Sequence, residues 1–193
     1  MCDTGYSIRE LVADVKALQG IGASEAQLLE ALRERVQRLQ RLKHAWLRPS
    51  MCVPGPVPGM AGVHRLHEEP DHSLAIFVVT WLPGEETPPH DHATWAVIAG
   101  LEGHETQHWW RRLDDGSVPG HAHVERHFSE RVDPSAIIAM PSDAIHSLHN
   151  DSGALSVTLH IYGVNVDYTG RHQFDPVAGT ASPYRFGGTA GGA

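Results

Sequence analysis

Several features are scarce in this chain of 193 residues, and each scarcity excludes a class of protein. Two cysteines, Cys2 and Cys52, are too few for a disulfide scaffold and favour a reduced compartment. No run of eighteen apolar residues is present, so the sequence predicts no transmembrane helix and no membrane partner. Acidic residues outnumber basic ones, and the net charge of −8 argues against a general nucleic-acid binder.

The first residues also lack a basic and apolar signal region, because acidic residues occur early in MCDTGYSIRELVADV. We therefore expect a cytoplasmic protein. The length suits one domain, or one domain with a small N-terminal cap, and allows a sizeable core. The abundant residue is histidine, with fifteen copies. Since histidine is the commonest metal ligand, this count makes a metal site the first possibility to test.

Two helices are predicted before residue 50. Apolar residues recur at helical spacing over residues 7–19 behind Ser7, and again over 24–47, where Ser24 and Gln27 form a capping-box pattern. A proline- and glycine-rich break, RPSMCVPGPVPGMAG, follows these segments. We expect residues 1–50 to form a helical cap that packs on the main domain.

From about residue 61, the sequence consists of short runs of β-branched and aromatic residues. Turn signals separate these runs, which are SLAIFVVTWL, TWAVIAGLEGHETQHWW, HVERHFSE, SAIIAMP, AIHSLHN and ALSVTLHIYG. Many short strands at near-regular spacing predict a mainly β sandwich or barrel over residues 51–175. The glycine-rich residues 176–193 are expected to fray or to drape over the surface.

Three histidines stand out from the others by their surroundings. His90 and His92 lie two residues apart, and on a strand that spacing points both side chains to one face. His146 follows another proline turn, in MPSDAIHSLHN. Two histidines from one strand and a third from a distant strand can meet inside a barrel and bind a metal, although surface turns are the plainer interpretation. The same alternation predicts that Asp91 faces away.

The first histidine pair belongs to a longer pattern. Its fixed positions are Gly84, His90, His92, Ala96 and Gly103. The spacing resembles the first cupin motif, G-x5-H-x-H-x3-E-x6-G, except that Ala96 stands where the motif has a glutamate. A lone pair of histidines would be weak evidence, so the second motif matters.

A second pattern, at Pro141, Asp143, His146 and Asn150, resembles the second cupin motif, P-x-G-x2-H-x3-N, with Asp143 in place of the glycine. Two motifs in order are far more specific than one. The resemblance implies a cupin double-stranded β-helix, a jelly-roll barrel preceded by N-terminal α-helices. It also implies that His90, His92 and His146 are the metal ligands.

A three-histidine site without the glutamate resembles the cysteine dioxygenase family of thiol dioxygenases, over roughly residues 60–175. That family has a Ser-x-His-x-Tyr set on a late strand, and this chain has Thr158, His160 and Tyr162. The resemblance implies Fe(II) as cofactor, Tyr162 and His160 in catalysis, and Thr158 orienting His160. Residues 93–103 contain no cysteine, so the cysteine–tyrosine crosslink of the animal enzymes cannot form.

The resemblance also bears on substrate binding. Arg171 follows Tyr162 by nine residues, as in the bacterial branch that includes 3-mercaptopropionate dioxygenases, where an arginine meets the substrate carboxylate. Arg65 lies near the place where cysteine dioxygenases carry another substrate-binding arginine, but a one-residue gap lets His64 take that place instead. If Arg65 does face the site, two guanidinium groups suggest a dicarboxylate such as mercaptosuccinate.

The expected activity is therefore oxidation of a small carboxylate-bearing thiol, namely 3-mercaptopropionate, mercaptosuccinate or cysteine, by O2 to the sulfinate. Two alternatives remain: a three-histidine cupin dioxygenase that cleaves carbon–carbon bonds, and a non-catalytic cupin that binds a metal or a small ligand. The Thr158, His160 and Tyr162 set favours the thiol branch. His121 and His123 follow a loop and lack a third histidine with motif spacing, so we do not expect them to bind metal. The sequence leaves the oligomeric state open.

Overall fold

The computed structural model describes residues 5–185, so Cys2 and the glycine-rich residues 186–193 lie outside the described part of the chain. The helices are α1 (Ile8–Gly20), α2 (Glu25–Arg41), α3 (Lys43–Trp46) and two short 3-10 turns, Pro49–Met51 and Val166–Tyr168. None of the helices in residues 5–185 is both long and apolar enough to cross a membrane.

Both predicted helices begin at the predicted caps. The Ser7 side chain accepts a hydrogen bond from the Glu10 N–H, and the Ser24 side chain accepts one from the Gln27 N–H. The helix expected to run to residue 47 ends at Arg41. The Leu42 N–H bonds to carbonyls three and four residues back, a mixture typical of a helix end, and the chain restarts as the short α3.

Ten strands follow in the described residues. They are β1 (Gly62–Glu68), β2 (Ala75–Trp81), β3 (Ala96–Glu102), β4 (Glu105–Arg112), β5 (Val124–Val132), β6 (Ile137–Met140), β7 (Ile145–His149), β8 (Ser156–Tyr162), β9 (His172–Asp175) and β10 (Thr180–Pro183). The mainly β prediction is confirmed. The long stretch 94–110 divides into β3 and β4 at Gly103, where a Cβ atom would lie 2.0 Å from the Leu155 carbonyl oxygen.

The strands form two facing antiparallel walls. One wall has the order β1-β2-β8-β3-β6, and the other contains β5-β4-β7. Single bridges from His90 to His146 and to Gln173 connect β7 with β9, which pairs with β10. Antiparallel strands distributed in this way over two walls make a jelly-roll barrel, the double-stranded β-helix.

The five-stranded wall separates two hydrophobic cores. Its outer face packs against the helices, and Val78, Leu159 and Ile161 share a core cluster with Leu32 of α2. Its inner face contributes to a smaller cluster inside the barrel: Ala96, Ile98, Val132, Ile138, Met140, Tyr162 and Val166. Since paired residues on neighbouring strands share a face, the register of this wall shows which side chains point inward.

The segment after residue 175 contains the last strand of the described residues. Thr180–Pro183 pairs with His172–Asp175, and the Tyr184 N–H donates to the Arg171 carbonyl (2.9 Å). These contacts tie residues 180–184 to the barrel, so this part of the predicted tail does not fray.

Candidate metal centre

The segment that carries His90 and His92 is an irregular loop, not the strand that strict alternation requires. Pro88 and Pro89 have no N–H to donate, so a regular strand cannot continue through them. His90 forms one two-way bridge with β7: its N–H donates to the His146 carbonyl (2.7 Å) and its carbonyl accepts from the His146 N–H (2.9 Å). Ala93 then adopts φ 51°, which turns the chain. The imidazoles converge because of this bridge and turn.

The start of the loop is fixed by the motif residues Gly84 and Asn150. The Asn150 amide donates to the carbonyls of Trp81 and Ala154, at 2.9 Å each. The Gly84 N–H donates to the Asn150 carbonyl, and the Asn150 N–H donates to the Glu85 carbonyl, both at 2.8 Å. Gly84 has φ 81°, a conformation that favours glycine. Asn150 therefore anchors the histidine loop to the end of β7.

His90, His92 and His146 come together inside the barrel, with one ligand atom from each lying within 4.8 Å of the others. Their side chains are buried, at 4%, 3% and 1% exposure. His90 and His146 are brought together by their shared backbone bridge, and the turn after His92 delivers the third ring. The three predicted ligands therefore form one group.

Hydrogen bonds behind two of the rings determine which nitrogen faces the centre. The His90 Nδ1–H donates to the Pro88 carbonyl (3.0 Å), and the His146 Nδ1–H donates to Gln107 Oε1 (2.6 Å). Each ring then keeps a lone pair on Nε2. His146 Nε2 lies 3.1 Å from His92 Nε2. A divalent ion fits this donor set, because metal-bound imidazoles commonly donate their other N–H in this way.

Electrostatics keep the three rings neutral. Burial lowers the pKa of His90 to about 3 and lowers the pKa values of His92 and His146 well below the usual range. The positive charge of Arg171 lowers all three pKa values further. Because a metal binds the unprotonated nitrogen, the rings need not lose protons at neutral pH before they bind an ion.

Acidic residues do not enter the group anywhere in residues 5–185. Ala96, at the glutamate position of the motif, is fully buried and belongs to the apolar cluster inside the barrel. Asp91 points away, as expected, and its Oδ1 accepts from the His172 N–H (2.8 Å). His121 and His123 are exposed and stand apart from the group.

Three side chains on the inner face of β8 form a hydrogen-bonded chain. Thr158 Oγ1 lies 2.9 Å from His160 Nε2, and His160 Nδ1 lies 2.7 Å from the Tyr162 hydroxyl. All three residues are buried, and the Tyr162 ring centroid is 4.9 Å from that of His92. Burial lowers the pKa of His160 to about 3 and raises the pKa of Tyr162, so the imidazole is neutral and the phenol keeps its proton.

Arg171 is buried beside these groups, with 1% of its surface exposed. Its guanidinium carbon lies 4.6 Å from the centroid of the Tyr184 ring, and that ring centroid is 4.9 Å from the centroid of His90. Its charge also lowers the pKa of Tyr162. The predicted substrate-binding arginine is therefore close to both the histidine group and the phenol.

A cavity of about 220 Å³ opens next to Tyr162. Besides Tyr162, its walls come from β1, β2 and the turn after β8, and they are Val63, Phe77, Val79, Asn165, Val166 and Asp167. Four of these residues are apolar. The cavity offers space for a small organic molecule beside Tyr162.

The register resolves the alternative between Arg65 and His64. His64 pairs with Val78, which packs toward the helices, so His64 faces away from the barrel interior. Arg65 pairs with Phe77 and so shares the inner face. Its side chain is 65% exposed, and its Nη1 lies 2.6 Å from Glu68 Oε2. Arg65 therefore stands at the rim in an ion pair, away from the histidine group.

Four residues near the site were not anticipated from the sequence. Glu105, Gln107 and Ser156 form a buried network behind His146, and Tyr184 covers Arg171. Glu105 and Gln107 lie two residues apart in a predicted strand, which places them on one face. The sequence signal that could have identified Glu105 and Gln107 was this pair of polar residues on the buried face of a strand.

No family model matches the chain. Among solved structures, an oxalate oxidase is 16% identical, with a TM-score of 0.46 and coverage of 60% of this chain and 57% of that chain. A double-stranded β-helix protein from Klebsiella pneumoniae is 11% identical (TM-score 0.45; 65% and 92% covered). A DMSP lyase from Ruegeria pomeroyi is 19% identical (TM-score 0.41; 58% and 50% covered).

This chain spans little more than half the length of the oxalate oxidase. The fold is defined by its own strand order: it is a double-stranded β-helix, with helices packed on one wall. Within that class, the particular feature of this protein is a buried group of three histidines, without an acidic member in residues 5–185, beside a Thr-His-Tyr chain.

Proposed function

We propose that this protein is an Fe(II)-dependent thiol dioxygenase that converts a small carboxylate-bearing thiol and O2 into the sulfinate. The observation that carries the proposal is the Thr158–His160–Tyr162 chain next to an all-histidine ligand group. A protein that only stores or senses a metal has no need of a buried phenol hydrogen-bonded to a buried imidazole at its ligand group. Burying such polar groups gains little stability even when they are hydrogen-bonded to one another, so their presence supports a chemical role.

The ligand set suits an anionic substrate. Three neutral imidazoles leave the double charge of a divalent ion unreduced, whereas a carboxylate ligand would lower that charge and compete with a thiolate. A bound ferrous ion would supply the redox chemistry that dioxygen requires and would favour the thiolate form of the substrate. His90, His92 and His146 would hold it.

The reaction balances without a further reductant. The thiol R–SH and O2 give R–SO2⁻ and H⁺: two sulfur–oxygen bonds form, the oxygen–oxygen and sulfur–hydrogen bonds break, and sulfur supplies the four electrons that O2 accepts. Tyr162 keeps its proton because burial raises its pKa. Its hydroxyl can hydrogen-bond to sulfur or oxygen beside the histidine group, while Thr158 and His160 fix its orientation.

Arg171 is proposed to bind the substrate carboxylate. A guanidinium presents two parallel N–H groups to a carboxylate, which fixes position as well as charge. Arg171 is buried and lies close enough to lower the pKa values of all three histidines and of Tyr162. In this proposal, a thiol with one carboxylate binds Arg171 and the ligand group together.

Arg65 is a weaker candidate for a second carboxylate, because it is exposed and already paired with Glu68. A dicarboxylate such as mercaptosuccinate would need Arg65 to exchange that partner. We therefore place 3-mercaptopropionate ahead of mercaptosuccinate among the substrates to be tried. His64 is not proposed to bind substrate, since it faces the helices.

The test is anaerobic loading of the protein with Fe(II), followed by oxygen uptake and product analysis with 3-mercaptopropionate, mercaptosuccinate, cysteine and cysteamine. We expect stoichiometric iron, one O2 consumed per thiol, and a sulfinate product. Arg171→Ala should raise the Michaelis constant for the carboxylate thiols strongly, since an unpaired buried charge costs about 2–5 kcal/mol. Cysteamine has no carboxylate and should be affected far less.

His146→Ala tests the metal site by removing one of the three ligands, and this variant should lose most of the iron. Full iron occupancy in His146→Ala would contradict the ligand assignment. Iron binding without oxygen uptake for any thiol would favour a non-catalytic cupin, and uptake with diketones or aromatic acids alone would favour carbon–carbon cleavage. If Arg65→Ala reverses a wild-type preference for mercaptosuccinate, both arginines bind substrate.

A further inference from the structure

A chain of four buried side chains runs from β8 through β4 to the histidine group. The Ser156 hydroxyl donates to Glu105 Oε2 (2.6 Å), and the Gln107 amide donates to Glu105 Oε1 (2.8 Å). Gln107 Oε1 in turn accepts from the His146 Nδ1–H (2.6 Å). Glu105, Gln107 and Ser156 are fully buried, and His146 is 1% exposed. This chain of side chains is called the Glu105 relay below.

The relay fixes the direction of every hydrogen bond within it. A carboxylate can only accept, so the Gln107 NH2 group must face Glu105 and its carbonyl oxygen must face His146. The proton of His146 is thereby held on Nδ1, and its Nε2 is left with a lone pair toward His92 and His90. Reversing the Gln107 amide would place a donor against a donor at His146.

In His90 the proton is also held on Nδ1, but by a backbone group and not by a side chain. Its Nδ1–H donates to the backbone carbonyl of Pro88, a partner that no substitution at another position removes. His146 depends instead on Gln107, and Gln107 depends on its hydrogen bond to Glu105. The three ligands are therefore not equivalent, because the orientation of His146 is set by a removable side chain.

The position of Glu105 also needs an explanation in terms of charge. A buried carboxylate is unfavourable unless it is hydrogen-bonded and compensated. Glu105 stays outside the ligand group. A divalent ion bound at His146 Nε2 would supply positive charge at the other end of the relay, and the relay would polarise the imidazole toward the ion.

We propose that Glu105, acting through Gln107, is the positioning residue that holds His146 in its metal-binding tautomer and strengthens its Nε2 as a donor. The proposal rests on the metal-binding part of the proposed function and is independent of the thiol chemistry. It separates Glu105 from the glutamate of the cupin motif: this carboxylate serves the metal from behind a ligand rather than by direct contact.

The test is metal affinity of the full-length apoprotein, measured by Co2+ and Zn2+ titration against a competing chelator, together with the Co2+ absorption spectrum. Gln107→Leu should weaken binding about 10–100-fold, as is typical when the partner of a ligating histidine is lost. Gln40→Leu is the matched control. Gln40 is also buried, at 5% exposure, and donates to the carbonyls of Gly100 and Ala136, with no link to the histidines, so metal affinity should be unchanged.

A double exchange of the two side chains separates positioning from packing. In Glu105→Gln with Gln107→Glu, the new carboxylate accepts from His146 and from the new amide, whose oxygen accepts from Ser156. All three hydrogen bonds are kept. We expect affinity to return to at least the wild-type value and the Co2+ bands to shift, because the charge is one step nearer the ligand.

The outcomes are distinct. Wild-type affinity in Gln107→Leu, or an exchange variant as weak as Gln107→Leu with unchanged apoprotein stability, overturns the relay proposal. If Gln107→Leu does not fold, the exchange variant is compared with Glu105→Gln instead. Equal metal affinity and identical Co2+ spectra in these two variants would overturn the relay proposal. A wild-type protein that binds neither ion refutes the metal site itself and with it the proposed function.

Discussion

The two faces of β8 are both buried, yet they carry opposite chemistry. Toward the helices the strand presents Val157, Leu159 and Ile161, which join the main apolar core. Toward the barrel interior it presents four polar side chains, and each is hydrogen-bonded to another side chain: Ser156, Thr158, His160 and Tyr162. One strand therefore serves the stability of the fold on one face and the candidate site on the other.

The difference shows where polar burial is tolerated. On the outer face, apolar packing stabilises the protein, and any substitution there should act through stability. On the inner face, burial of hydroxyl and imidazole groups gains little stability, because hydrogen bonds inside a protein mostly replace those made to water. The inner face therefore fixes the orientation of polar groups at the candidate site, and substitutions there should change turnover even where they also lower stability. Four predictions test this separation.

The largest expected effect is on the outer face. Leu159→Ala removes a fully buried side chain from the core under the helices, and such changes cost about 2–5 kcal/mol of unfolding free energy. The inner face is untouched, so metal stoichiometry should stay at the wild-type value. Denaturant unfolding and metal analysis of the same preparation measure both. Loss of metal at full stability would show that the two faces are coupled.

The second prediction takes the inner face. Tyr162→Phe keeps the ring beside His92 and removes the hydroxyl that His160 contacts. If the proposed function is correct, turnover should fall about a hundredfold to a thousandfold, as when one positioned donor is lost, while the iron content stays unchanged. Steady-state oxygen uptake and sulfinate yield measure this. Unchanged rate and coupling would make the phenol merely structural.

Much of the fold was predictable because its signals are local. Capping serines, strand-like runs and turn residues each act over a few positions, so the ends of α1 and the strands from β2 to β8 follow from the printed sequence. The meeting of His90, His92 and His146 also follows, from the spacing within two motifs. Their functional roles stay predictions.

The features that sequence reasoning missed are set by long-range contacts. The irregular loop at His90 depends on a bridge to His146 of β7, a residue that is distant in the sequence. The exposure of Arg65 depends on its partner Glu68 and on the edge position of β1. The Glu105 relay joins side chains of three strands, β8, β4 and β7, and no short motif records such a combination.

The third prediction sharpens the contrast within the inner face. Thr158→Val keeps the shape of the side chain and removes the hydroxyl that lies 2.9 Å from His160 Nε2. A buried ring nitrogen left unsatisfied costs about 1–3 kcal/mol, so stability should fall within that range. Turnover should fall as well, because His160 is no longer held by the hydroxyl. Thr158→Ser restores the hydroxyl and should recover most of the turnover. Equal turnover in the valine and serine variants would remove Thr158 from the orienting chain.

The smallest effect is expected at the open edge, where the inner face meets solvent. Glu68 accepts hydrogen bonds from the amide of Asn165, from His72 and from Arg65. These contacts, with Asn165 the strongest, lower the pKa of Glu68 from 4.5 to about 2. A carboxyl whose pKa is lowered on folding stabilises the protein above its unfolded pKa and loses that contribution as the pH falls toward the folded value.

Glu68→Gln should therefore lower the unfolding free energy by about 1 kcal/mol at neutral pH, a modest value because the Arg65 partner is 65% exposed and screened by solvent. The difference between wild type and variant should shrink as the pH falls from about 4.5 toward about 2, the window that the pKa of Glu68 defines. Urea unfolding across that range measures it.

Arg65→Ala removes only one of the three partners, so it should show the same window with a smaller difference. A difference that stays constant across the window would mean that the charge of Glu68 contributes nothing. The rim of the inner face would then be stabilised by packing alone, as the outer face is.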